Sequence, residues 1–138
     1  MNSKPCLDHD DVAAILNAAR DEAQRNHWAV SIAVVDDGGH LLGLYRLDGA
    51  APMSARMAPA KARTSALGRR ETKSYEETIN NGRTAFLSAP DLDGMLEGGV
   101  PIVVDGQVVG AVGVSGVKSV EDAQVAKAGI AAVVALPN

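Results

Sequence analysis

The sequence predicts one α+β domain in which two β-hairpins share an antiparallel sheet and helices from both ends of the chain pack on it. Three observations lead there. Residues 98–116 are two runs of β-branched residues joined by Asp105-Gly106, a pair suited to a type I′ turn because both central residues need positive φ. Residues 28–47 repeat that pattern around Asp36-Asp37-Gly38-Gly39, and the two ends of the chain carry apolar residues at helical spacing. Hairpins are antiparallel, so the simplest assembly is one sheet of four to five strands with the terminal helices covering one face. A chain of 138 residues supports a single core, and one domain is expected over residues 1–138.

In chain order, Asp8 is placed to cap a first helix, with Asp11 three residues on and Leu7 and Val12 at the spacing of a hydrophobic staple. Val12, Ile15, Leu16, Ala19 and Ala23 form its apolar stripe, and Asn26-His27 ends it. A strand over 28–35 alternates Val30, Ile32 and Val34 with Ala29, Ser31 and Ala33, and a second over 40–47 completes the hairpin. Pro59 suits the first turn of a helix running to Leu67, with Gly68 as its stop. Ser74 and Glu77 have capping-box spacing for a short helix that Asn80-Asn81-Gly82 would end; a turn of helix over 83–87 and a loop over 88–97 follow. In the second hairpin, alternation sets Val108, Gly110, Val112 and Val114 against Val109, Ala111, Gly113 and Ser115, one bulky face and one nearly bare. Glycines weaken a strand, so Gly110 and Gly113 imply that a helix, a ligand or a second backbone comes close. Ser119 with Asp122 starts a last helix whose Ala123, Ala126, Ile130 and Val133 form a stripe ending at Pro137.

Composition narrows the function classes. Cys6 is the lone cysteine, so neither a disulfide framework nor a zinc site is supported, and no metal is expected. No apolar run approaches a membrane span and no secretory leader is evident, which makes a cytoplasmic protein without a membrane partner the expectation. The net charge of −4 argues against nucleic acid as a partner. Charge distribution is more informative: residues 46–83 hold eight basic and four acidic side chains, a local surplus of +4 in an otherwise acidic chain, consistent with an anion site. Aromatic residues make up only 3% of the chain, leaving few large anchors for a core, and a homo-oligomer is expected. There is no GxSxG, HExxH, Walker loop or GxGxxG in a binding context.

Residues 30–43 (VSIAVVDDGGHLLG), 61–73 (KARTSALGRRETK), 80–86 (NNGRTAF) and the 98–116 hairpin resemble the family that groups GlcG, HbpS and the C-terminal domain of PduO, often labelled haem-binding or haem-degrading. The resemblance runs almost end to end. It implies a profilin-like α+β fold, assembly into dimers or larger homo-oligomers, a place in a catabolic operon such as glycolate utilisation, and haem as a cofactor the chain could take without requiring one. It also brings an alternative, since some relatives resemble lyases acting on 4-hydroxylaminobenzoate.

Axial haem ligands are usually His, Cys, Met or Tyr. Of three histidines, His9 falls in an exposed first helical turn, whereas His27 and His40 stand at element ends where a groove can open, and these two are the haem candidates. A small carboxylate is the other ligand class considered. Arg46, Lys61, Thr64, Arg70, Asn80 and Arg83 are its candidate binding residues, because guanidinium forks match carboxylates, and Glu71 or Glu97 would carry a proton in lyase or deaminase chemistry.

Overall fold

The computed structural model describes residues 1–135. Its elements are α1 (His9–Arg25), β1 (Ser31–Asp36), β2 (Leu41–Arg46), α2 (Ser54–Gly68), α3 (Thr72–Asn80), a 3₁₀ helix (Thr84–Ser88), β3 (Gly99–Val104), β4 (Gln107–Ser115) and α4 (Ser119–Ile130). Four strands form one antiparallel sheet in the order β2-β1-β4-β3, so the hairpins join through β1 and β4. The α+β expectation holds. The Asp105-Gly106 turn has φ of 50° and 75°, as a primed turn requires.

Local sequence explains α1 in full. The Asp8 carboxylate accepts from the Asp11 amide at 2.8 Å while Asp11 accepts from the Asp8 amide at 3.0 Å, and all five stripe residues are buried. With α4, this helix covers one face of the sheet, where Ile15, Leu16 and Ile130 meet Ile32, Val34, Ile102, Val112 and Val114. The α4 helix ends at Ile130; Pro137, its expected end, lies outside the described residues.

The sheet is covered on its second face as well, by the middle helix rather than by a terminal one. Helix α2 lays Ala58, Ala62 and Ala66 against Ala33, Val35 and Ala111. A Cβ on Gly113 would collide with the Ala58 carbonyl and the Ala62 amide, so the helix backbone is what approaches the bare face. At Gly110 the close neighbours are the Val35 carbonyl and Leu7.

The structure differs from the expectations at five points. Helix α2 begins at Ser54, five residues before Pro59, which lies inside it and leaves the Ala55 carbonyl without its helical donor. Its stop is Arg69, left-handed at φ 59°; Gly68 is instead the residue on which the Tyr75 hydroxyl packs. Helix α3 starts at Thr72 rather than Ser74, whose hydroxyl donates back to the Glu71 carbonyl at 2.9 Å. Val109 leaves the bare face for the α1/α4 core, because the β3/β4 register shifts between Ile102 and Val103 and the bulge reverses the alternation. Asp122 does not cap α4 through Ser119; it is turned inward.

Candidate functional site

The basic residues of the middle segment do not form one clamp. Lys61 lies inside the protein, 3% exposed, where its ammonium donates to the Val114 carbonyl at 3.0 Å and pairs with Asp122 at 3.1 Å. Burial pushes the Asp122 carboxyl up from its ordinary value, while Lys61 and the Val117 amide oppose the rise. This ion pair ties α2 to α4 and presents nothing to a ligand in solvent. Arg70 and Arg83 are exposed and stacked, the first 4.1 Å above the Tyr75 ring and the second 4.8 Å above Phe86, whose rings meet edge to face. Thr64 is fully buried and accepts from the Gly94 amide at 3.1 Å, pinning the 89–97 loop to α2.

The two glutamates are likewise apart. Glu71 pairs with Lys127 at 3.4 Å beside an apolar groove along β3, floored by Val100, Pro101 and Val103. Glu97 is half-buried and lines none of the three grooves described here. Asn80 lines a groove of about 660 Å³ formed by α3, the 3₁₀ helix and the 89–97 loop.

What the fold does bring together is His27, Trp28 and Arg46. They line a groove of about 400 Å³ between the end of α1 and the turn after β2, with Ala29, Leu47 and Asp48. Arg46 sends Nε and Nη2 to the Ala50 carbonyl at 3.3 and 3.0 Å, which fixes its guanidinium and leaves its other N–H groups for a ligand. The backbone at His27 is unusual. α1 ends in a Schellman-type cap, with the His27 amide donating to Gln24 and the Trp28 amide to Ala23, and His27 takes the left-handed position at φ 57° where glycine is the ordinary choice. Arg69 holds the same position at the end of α2, but its side chain is used structurally, donating to the Asp37 and Ala66 carbonyls. The His27 imidazole has no hydrogen-bond or ion-pair partner among the described residues.

His40 is placed differently. Its Nδ1 sits 3.1 Å from the Asp36 carboxylate at the tip of the first hairpin, with the side chain 82% exposed and lining none of these grooves. The left-handed cap at His27 was not read from the sequence, although Asn26-His27 without a glycine at a helix end is a usable signal. The burial of Lys61 had no local signal, because its partner Asp122 is 61 residues away.

A four-stranded antiparallel sheet with two helices on one face and one on the other is the architecture of the HbpS-like proteins, and the chain belongs to that family: the family described as "Haem degrading protein HbpS-like" matches residues 7–131. Within it, the chain is 62% identical to Protein GlcG of Escherichia coli (strain K12) over 115 residues, 83% of this chain and 85% of GlcG. A double mutant of Streptomyces reticuli HbpS superposes with a TM-score of 0.88 at 29% identity, covering 98% of this chain and 92% of that one. The haem complex of PduOC superposes with a TM-score of 0.84 at 25% identity, covering 94% and 96%. No helix among the described residues is long and apolar enough to cross a membrane.

Proposed function

We propose that this protein binds haem in the groove at the end of α1, with His27 as the axial ligand, Trp28 against the macrocycle and Arg46 on a propionate. The observation that carries the proposal is His27 itself, held in a backbone conformation that costs a β-carbon about 1 kcal/mol and without a structural partner for its ring. The donor set fits the group: an imidazole nitrogen for iron, an indole for an apolar plane, and a fixed guanidinium for a carboxylate. Haem also unites the two ligand classes the sequence raised, since it is an iron complex and a dicarboxylate at once. Membership of the HbpS-like family and the likeness to the PduOC haem complex support the same choice. Bound haem supplies an iron centre for ligand exchange or redox chemistry; the chain supplies its anchorage. The lyase alternative lacks comparable support, because Arg70, Arg83, Glu71 and Glu97 line no common groove.

Haem titration followed at the Soret band tests this reading. His27→Asn keeps the turn, since Asn tolerates the left-handed region, and removes the ligand. It is expected to abolish the ligated spectrum, whereas His40→Ala binds as the parent does. Arg46→Lys is expected to weaken binding about tenfold, because an ammonium cannot reproduce the fork. Parent-like spectra and affinity in His27→Asn overturn the assignment.

A further inference from the structure

The groove of about 660 Å³ beside α3 borders the basic middle of the sequence, yet its charge has the opposite sign. Its one cation, Arg63, is paired with Asp91 at 3.1 Å. Glu76 and Asp93 stand at the same groove with no cationic partner among the described residues. Its floor is apolar: Ile79 and Met95 are joined by Leu87 and Leu96, which are 68% and 47% exposed, so apolar surface and carboxylates face solvent in the same groove. The wall is fixed rather than loose, because Gly94 is held to Thr64 and packs so tightly on the α2 backbone at Ala60 that a Cβ there would clash. The volume is that of a small-molecule site.

We infer that this groove binds a small amphipathic organic cation, a protonated amine on an aryl or alkyl body. The ammonium sits between the Glu76 and Asp93 carboxylates, where the Asn80 amide oxygen is available as a further acceptor, and the hydrocarbon covers Leu87, Leu96 and Ile79. Anionic ligands of the same shape are repelled by those two carboxylates, so this site and the His27 groove select opposite charges.

Calorimetry with three probes that share a phenylethyl body decides it: 2-phenylethylamine, 2-phenylethanol and 3-phenylpropionate. The amine is expected to bind the parent saturably at millimolar concentration, more tightly than the alcohol, with the carboxylate weakest, and more weakly as salt rises. The isosteric double variant Glu76→Gln/Asp93→Asn, with a parent-like melt, is expected to bind the amine about fivefold more weakly and to lose the preference over the carboxylate. Haem titration of that variant is expected to match the parent. Absence of saturable amine binding, equal affinity for amine and carboxylate, or an unchanged double variant each overturns the proposal. A second copy of the chain is the competing occupant: if Leu87→Ser/Leu96→Ser lowers the mass measured by light scattering, the groove is a contact between subunits and the proposal falls.

Discussion

On the face covered by α1 and α4 the sheet presents Ile32, Val34, Ile102, Val112 and Val114; on the face covered by α2 it presents Ala33, Val35, Ala111 and Gly113. The first face gains its stability by removing large side chains from water, roughly 25 cal/mol per Å² of apolar surface. The second buries little side-chain area and depends on the closeness of one backbone to another, which only small residues allow. Large side chains can repack around a lost methyl group, whereas a helix backbone lying on a glycine has no rotamer to change. The small-residue face is therefore the less forgiving of the two, although it contributes less hydrophobic area. It also holds the one buried charge pair described here, Lys61 with Asp122, where α2 meets the end of β4.

Substitutions on the two faces should separate these modes. Gly113→Val places a branched side chain where the Ala58 carbonyl and Ala62 amide stand, and is expected to cost about 4–5 kcal/mol. Ile102→Ala on the opposite face leaves a cavity that its neighbours partly fill, and is expected to cost about 3 kcal/mol. Urea melts of both variants rank them. If Ile102→Ala is the more damaging, α2 can ride outward cheaply and the contrast between the faces is wrong.

The bulky face was legible in the sequence because alternation is a local signal: Val30, Ile32 and Val34 in the first hairpin and Val112 and Val114 in the second stand where period two puts them. The bare face was half legible. Gly113 announced a close approach, but nothing local said that α2 makes it, since Pro59 reads as a helix start when only short-range rules apply. Val109 was misplaced because a bulge is a property of the pairing rather than of the strand. In the candidate site, His27 was legible as an element end and Arg46 as a cation. Their shared groove depends on how α1 meets the turn after β2, which spacing along the chain does not encode. Lys61 counted towards a basic surplus only until its burial was known.

The buried pair offers a second break of the α2 face. Lys61→Met keeps most of the volume but strands the Asp122 carboxylate, and is expected to cost about 3–4 kcal/mol. Adding Asp122→Leu removes the stranded charge as well and is expected to recover most of that loss, because two apolar groups can replace a buried ion pair. A double variant no more stable than Lys61→Met would mean that the Lys61 bond to the Val114 carbonyl, rather than the ion pair, secures the helix.

The smallest expected effect concerns pH, and its sign is diagnostic. Desolvation holds the folded Asp122 carboxyl above its ordinary value despite Lys61 and the Val117 amide, so the folded chain keeps that proton more tightly than the unfolded chain does. The contribution of Asp122 is then fully present below the unfolded carboxyl value of about 4 and is lost as pH rises through the raised folded value. Glu22 and Asp37 act in the opposite direction. Hydrogen bonds from Gln124 and Arg25 lower the first and one from Lys4 lowers the second, so their contributions are present above the unfolded values and lost as pH falls. Both lie outside the α2 face and are common to the parent and an Asp122→Asn variant, so they cancel in the difference between the two. That difference, measured by urea melts from acid to neutral pH, is expected to shift in favour of the variant as pH rises. The shift should be steeper in a Lys61→Met background, where nothing offsets the burial. A difference that moves towards the parent with rising pH would show that attraction to Lys61 outweighs desolvation, and the pair would then count among the forces that hold α2 on the sheet.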